Sequence, residues 1–354
     1  MKMMIKLVIT CIICLGAILL IYILGVLLYA LISEFKPLQI EEITIRKNEN
    51  KSIQAGQVLS ILTWNIGYGG LGKEMDFFYE GGQKVRPDKV LAKKYLDGIT
   101  DFLSKHDSLD FILLQEIDFN SKRSYAVNQA DSISSVLTDF NKISAVNYSS
   151  NYIPVPFFNP MGKVKSGLVL WSRYSPSNAK RASTPGKYSF PKRLFMLKRC
   201  LLITRYNVDN GKELVLINLH NSAFDDADQL RKEEMKFIKK LITEEYEKGN
   251  YVIAGGDWNQ NPPGLNLDNI NKYKNRSVWP IQKDFLPNEW NWVFDPSVPT
   301  NRDVHEPFNI QSTTCTILDY FVTSPNIEVL ETKTTDMEFE FSDHQPVLIS
   351  LKLK

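Results

Sequence analysis

The sequence predicts one large α/β domain with mixed sheets, carried behind a single N-terminal membrane-spanning helix. Three observations carry this expectation. Residues 7–32 form an unbroken uncharged apolar run. Beyond residue 57, short apolar strand-like runs alternate with fewer helical stretches. No segment repeats at a solenoid-like period. The expected organisation is therefore an anchor over residues 1–36, a tether over 37–57 and one globular domain over 58–354.

Leu7 to Ile32 is 26 residues without a charge. As a helix it would span about 39 Å, more than the ~30 Å hydrocarbon core of a bilayer. A cleavable signal has a shorter apolar region and a small-residue cleavage site. This run instead ends in Leu-Ile-Ser-Glu-Phe-Lys, which points to a retained anchor. Lys2 and Lys6 flank its N-terminal side, while Glu34 and Lys36 cancel on the other. The positive-inside rule then places the N-terminus in the cytoplasm and the domain outside it, periplasmic or extracellular.

Residues 37–57 are polar and rich in Lys, Asn and Gln, as expected of a tether with one early strand. Strands are expected at Leu59–Ile66, Asp110–Gln115, Ser166–Trp171, Leu201–Val208, Glu213–His220, Tyr251–Gly256, Ile317–Thr323 and Val347–Leu353. Pro87 is expected to open a helix at its first position, running to about Lys105. A second helix is expected from Asp226 to Lys248, closed by Gly249.

Composition excludes several classes. With 44% apolar and 23% charged residues, the chain is not disordered, collagen-like or a disulfide-stapled miniprotein. Its formal charge of +2 belongs to the first 36 residues, so the rest is balanced. That balance is poorly mixed: Phe140 to Val208 holds twelve Lys and Arg and no acid. A shared basic face there would suit a polyanion, whether nucleic acid or anionic lipid head groups. Cys200 and Cys315 are expected as two buried thiols rather than a disulfide. Trp279, Phe285, Trp290, Trp292 and Phe294 are expected to pack, as is the stretch Tyr152–Phe158. The alternative for both is a rim that stacks bases or enters a bilayer interface.

The chemistry collects at strand ends, where side chains of neighbouring strands can converge on one rim. Ile61–Ile66 delivers Asn65, and Phe111–Glu116 delivers Gln115 and Glu116. A carboxylate closing an apolar strand is costly if buried alone, and a cation relieves that cost. Leu214–His220 delivers His220. Tyr251–Asn259 passes two glycines and then offers Asp257 and Asn259, two residues apart and so able to face one way. Asp319 sits in an otherwise apolar strand, and Asp343 and His344 precede the last one. Two of the chain's four histidines thus end such segments, while His106 and His305 are expected at the surface.

The ordered set Thr-Trp-Asn, Gln-Glu, Asn-Leu-His, Gly-Asp-Trp-Asn, Leu-Asp-Tyr and Ser-Asp-His resembles the endonuclease/exonuclease/phosphatase superfamily. That superfamily includes pancreatic deoxyribonuclease, apurinic-site endonucleases, neutral sphingomyelinases and inositol-polyphosphate phosphatases. The resemblance covers about Ser60 to Lys354 and implies a four-layer α/β/β/α sandwich of two packed mixed sheets. It also implies a divalent metal, Mg²⁺ with Mn²⁺ as its substitute, and phosphoester hydrolysis by in-line attack of water.

Carried onto matching positions, Glu116 resembles the principal metal ligand, with Asn65 and Asp343 close to the metal. Asp257 and Asn259 resemble the pair that orients water and phosphate, and His220 the second active-site histidine. His344 resembles the histidine beside the phosphate, and Asp319 the carboxylate that fixes its tautomer. Two histidines of ordinary pKa would serve as acid and base, with the water's proton going to either Asp257 or His344. Arg123, shortly after Glu116, is a candidate phosphate contact.

Two departures narrow the substrate. Apurinic-site endonucleases carry a Tyr where this chain has Asn218-Leu-His220, and Thr313–Asp319 departs from the inositol-phosphatase pattern. The expected function is a membrane-anchored, metal-dependent phosphodiesterase acting on a lipid head group or nucleic acid, monomeric and without a protein partner. A phosphomonoesterase for a phosphorylated lipid or small molecule, and an inactive membrane-tethered binding module, are the alternatives.

Overall fold

The computed structural model describes residues 1–45, 52–223 and 229–354. The first element, α1 (Lys2–Ile32), is long and apolar enough to cross a membrane, and of its residues only Ala30 is buried. There follow β1 (Ile40–Glu42), β2 (Val58–Asn65), α2 (Lys89–Ser104), β3 (Phe111–Asp118), α3 (Gln129–Ser134), β4 (Asn141–Ile153) and β5 (Gly162–Ser172). The middle of the chain holds β6 (Asn178–Ser183), β7 (Cys200–Asn207), β8 (Glu213–His220), α4 (Gln229–Glu247) and β9 (Tyr251–Asp257). The last part contributes β10 (Lys274–Asn275), β11 (Asn291–Val293), β12 (Asn301–Arg302), β13 (Thr314–Thr316), β14 (Asp319–Thr323), β15 (Ile327–Thr334) and β16 (Val347–Leu353).

Two mixed sheets pack face to face. One runs β1-β6-β7-β8-β9-β14-β11, the other β15-β16-β2-β3-β5-β4. Ile61, Leu113 and Leu170 of the second sheet meet Leu202, Leu216 and Ile253 of the first in a shared core. The outer faces are covered as well: Val215, Ile217 and Ala254 pack under Ile238 and Ile242 of α4, while Leu62, Ile112 and Val169 pack under Ile99, Leu103 and Ile133. Strands buried on both faces explain the near-continuous apolar runs in the sequence. The result is the four-layer α/β/β/α sandwich that the motif order implies.

Several boundaries differ from expectation for identifiable reasons. Pro87 lies just outside α2, because Asp88 takes the N-cap and its carboxylate accepts from the Leu91 N–H at 2.8 Å. Residues 226–228 of the expected second helix lie outside the described residues. That helix does end before Gly249, whose φ of 87° provides the left-handed exit. Strand β3 continues past Gln115 through a bulge, and the expected strand over 317–323 begins only at Asp319 as β14, with β13 a separate short strand before it, so Asp319 opens a strand instead of sitting inside one. The segment after α1 is held against the domain, since β1 pairs with β6 and Ile43 and Ile45 pack on the central core.

Gly256 is the tightest point of the sheet that carries the site. Its φ is 144°, and a Cβ there would fall 2.0 Å from the Leu219 carbonyl oxygen on β8. Gly256→Ala would have to move one of two paired central strands. Backbone strain and overpacking together predict a loss of about 3–5 kcal/mol. An unfolding midpoint equal to that of the parent protein, by heat or urea, would refute this.

Candidate active site

Strand register places the candidate residues at one rim. In the first sheet, His220 on β8 lies opposite Asp257 on β9, and Asp257 opposite Asp319 on β14. In the second, Asn65 on β2 lies opposite Gln115 on β3. The sheets are tied beneath the rim by polar groups: Gln115 Nε2 donates to Asn218 Oδ1 at 2.7 Å, and Asn218 Nδ2 donates to the Leu114 and Val169 carbonyls. This directional buried amide contact fixes the sheets' relative position more specifically than apolar contact does, with Gln115 Oε1 left without a partner among the described residues.

His344 is the most constrained of these side chains. Its Nδ1 pairs with Asp319 Oδ2 at 2.7 Å, its Nε2 meets the Asn301 amide at 3.0 Å, and its carbonyl accepts from Trp64 Nε1 at 2.9 Å. Thr300 Oγ1 accepts from both the Leu318 and Asp319 N–H groups, holding the start of β14 in place. Asp257 Oδ2 lies 3.4 Å from His220 Nε2, 3.7 Å from His344 Nε2 and 3.0 Å from Asn65 Nδ2. Its other oxygen accepts from the Asn259 N–H at 2.9 Å, while Asn259 Nδ2 donates to the Asn221 carbonyl. Asn259 and Glu116 both have positive φ, 52° and 56°. For Glu116 this follows from the bulge in β3, a device that re-aims a side chain. It turns the Glu116 carboxylate to within 3.9 Å of His220 Nε2.

The electrostatics separate the two histidines, contrary to the expectation that both keep ordinary values. Burial alone would lower the pKa of His344, but the carboxylates of Asp319 and Asp257 outweigh it and hold the ring well above its usual value. Burial pushes His220 well below its usual value, with Arg199 and His344 adding to the effect. Asp257 is raised by burial to about 6, with His344 opposing. Asp343 is raised by burial to about 7, with the negative charge of Glu116 adding to the rise. Groups whose environments push their pKa values apart in one cleft are suited to acid–base work.

The donor set fits a divalent cation. Asp257, Asp319 and His344 bring ligand atoms within 4.8 Å of one another. Two of these, Asp319 and His344, are already bonded to each other, so that trio reads better as an oriented histidine beside a carboxylate. The remaining oxygen donors are Glu116, Asp343 and Asp257, with the Asn65 amide lying between Asp257 and Glu116. The buried Asp343, whose proton affinity the half-buried Glu116 carboxylate beside it raises, is the kind of group a cation would stabilise.

Glu116, His220, Asp257, Asn259, Asp343 and His344 line a cavity of about 620 Å³ whose walls also include Tyr68, Leu71, Met161, Arg199, Arg231 and Trp279. Arg123 is also in the wall, but its fork is taken by Asp118, at 3.1 and 3.0 Å, and it lies 3.7 Å over the Tyr68 ring. Its neighbours favour a role in holding Tyr68 over the expected phosphate contact. The acid-free block does not form one face. Arg199 reaches the cavity, whereas Arg205 pairs with Glu213 and Glu245, Lys180 pairs with Glu42, and Arg181 is buried against backbone carbonyls. Trp290 and its aromatic neighbours pack on the outer face of the first sheet, but Trp279 stands at the cavity under the Arg231 guanidinium, 4.1 Å away. Cys200 and Cys315 are free buried thiols. His305 is exposed, while His106 is half-buried and stacks on Phe102. Tyr68, Asn301 and Arg231 were not anticipated. Tyr68 and Arg231 lie off the strand ends, and Asn301 sits on a two-residue strand with no apolar run before it.

The sandwich and its rim of His, Asp and Asn define a phosphoric ester hydrolase. The chain belongs to the endonuclease/exonuclease/phosphatase family, whose model matches residues 62–344. Solved structures of family proteins share the fold. One from Beutenbergia cavernae has a TM-score of 0.55 at 16% identity, covering 84% of this chain and 72% of that one. One from Bacteroides vulgatus has a TM-score of 0.52 at 14% identity, covering 84% and 100%. One from Leptotrichia buccalis has a TM-score of 0.51 at 15% identity, covering 83% and 100%. No curated protein sequence is close enough to the chain to count as a match.

Proposed function

We propose that the protein is a membrane-anchored phosphodiesterase that uses a divalent cation, Mg²⁺ or Mn²⁺, to hydrolyse a lipid head-group or nucleic-acid phosphodiester. The observation that carries this reading is the convergence of His220, Asp257 and Asp319 from the first sheet with Asn65, Glu116 and the Asp343-His344 segment that leads into β16 from the second, the two sides joined by the Asp319–His344 and Asn65–Asp257 hydrogen bonds. Residues 1–36 serve as the anchor, with Lys2 and Lys6 on the cytoplasmic side, and residues 58–354 as the extracytoplasmic catalytic domain.

Glu116, Asp343 and Asn65 would hold the cation. When bound, it would neutralise charge on the phosphoryl oxygens and on the leaving oxygen. Asp257 is the base that receives the water's proton, since a carboxyl group near 6 is largely ionised at neutral pH yet basic enough to accept it. Asn259 fixes Asp257 through its N–H and orients the attacking water with it. His344, kept charged by Asp319, faces the phosphoryl group and offsets its growing negative charge. His220, neutral at the same pH, donates a hydrogen bond to the phosphate without competing for the proton.

The test is hydrolysis of bis-p-nitrophenyl phosphate by the detergent-solubilised full chain. Turnover abolished by EDTA and restored by Mg²⁺ or Mn²⁺ is the expected result. No turnover with either ion, or preference for p-nitrophenyl phosphate over the diester, overturns the diesterase reading. Plasmid DNA, RNA, sphingomyelin and phosphatidylinositol phosphates then separate the two substrate classes.

A further inference from the structure

We infer that the loop joining β4 to β5, residues 154–161, enters the outer leaflet of the bilayer beside the anchor and gives the domain a second membrane contact. The inference rests on the anchor reading above. The loop runs Pro-Val-Pro-Phe-Phe-Asn-Pro-Met, and no charged residue occurs between Lys142 and Lys163. Its tip is apolar and uncovered: Val155 is 41%, Phe157 59% and Phe158 95% exposed. Adjacent exposed aromatics at a loop tip are the kind of patch that soluble surfaces avoid and interfacial ones use.

Exposure alone does not say what covers the loop; its contact with α1 does. The Tyr22 ring meets Phe157 edge-on with centroids 5.8 Å apart, and the Tyr22 hydroxyl lies 3.1 Å from that of Tyr152. Tyr22 is ten residues before the end of α1 at Ile32. At 1.5 Å per residue, the loop therefore reaches about 15 Å back along the helix from its end. A ~30 Å hydrocarbon core beginning at Leu7, just after Lys6, would end near Val26. Phe157 then lies at a depth inside that core, and Tyr22 and Tyr152 satisfy each other's hydroxyls where water is scarce.

The helix exit is clamped in the same orientation. Glu34 pairs with Lys198 at 3.1 Å and with Arg193 at 3.9 Å, so α1 cannot swing freely away from the loop. Lys163, just after the loop, is exposed, and exposed Lys187 shares a cleft with Glu34 and Lys36 at the helix exit, positions from which cations can meet anionic head groups. Met161, at the base of the loop, lines the active-site cavity. The membrane contact and the cavity wall are thus one continuous piece of chain.

Depth measurement on the full chain tests the inference. Cys11 and Cys14 are replaced by Ser, the buried Cys200 and Cys315 are kept, and single spin labels are placed through Phe158→Cys, Ile18→Cys and Val90→Cys. The proteins are reconstituted in phosphatidylcholine vesicles containing phosphatidylglycerol. The labels at 158 and 18 are expected to collide severalfold more with oxygen, relative to a water-soluble nickel chelate, than the label at 90 on α2. A label at 158 that behaves like the one at 90, while that at 18 reports lipid, overturns the loop insertion and leaves the anchor standing. A label at 18 that reports water overturns both.

Discussion

Asp319→Asn protein is expected to fold normally and to lose about 10³-fold in kcat, with KM changed far less. The amide can still occupy the space and meet His344 Nδ1, but it cannot hold a positive ring. In the parent protein the Asp319 carboxylate, 2.7 Å from that nitrogen, is the foremost reason that His344 stays charged despite its burial. Without it, burial prevails and the ring's pKa falls. The sign of the pH effect follows. Activity that needs a charged His344 is lost as pH rises through that pKa, so lowering the pKa moves the alkaline limb of the kcat profile toward acid. The acid limb, set by Asp257 near 6, should move less. A residue that merely packed the strand would lower activity at every pH alike. A pH–rate profile with an unshifted alkaline limb, or a kcat within a fewfold of the parent's, would sink the role given to the pair.

Much of this site was legible in the sequence because the fold writes it at strand ends. Central strands buried on both faces read as apolar runs, so a polar residue that closes one is conspicuous, as with Asn65, His220 and Asp257. Register then does the rest, since β8, β9 and β14 bring His220, Asp257 and Asp319 level. The less visible parts lack that contrast. Strand β4, with Asn and Ser throughout, and the charged edge strand β15 carry no apolar run, and the sequence does not announce them although β4 has thirteen residues. The bulge that turns Glu116 has no local signature, because it is imposed by pairing with β5. The dispersal of the basic block is likewise a tertiary outcome. Arg181 and Arg205 are consumed by carbonyls and carboxylates distant in sequence, such as Glu245, which Arg205 and its other partners hold down at about 2 despite burial.

Glu116→Gln is expected to cost about 10²–10³-fold in kcat at saturating Mg²⁺, the loss of a few kcal/mol of charge stabilisation in the transition state. Its effect on stability should depend on the metal. Without a cation, Glu116 adds to the raised pKa of the buried Asp343, so the two negative charges oppose each other in the folded state. Removing one of them should leave the protein in EDTA at least as stable as the parent. With Mg²⁺ the order reverses. A ligand that binds only the folded state stabilises it by RT ln(1 + [L]/Kd), about 2.7 kcal/mol at a hundredfold excess over Kd. The parent protein should therefore gain several degrees in Tm between EDTA and Mg²⁺, and Glu116→Gln protein little. This crossing separates a metal ligand from a carboxylate that is merely structural, since loss of the latter would lower Tm equally in both buffers. Equal Mg²⁺-dependent shifts in the two proteins would remove Glu116 from the cation site, whatever happened to activity.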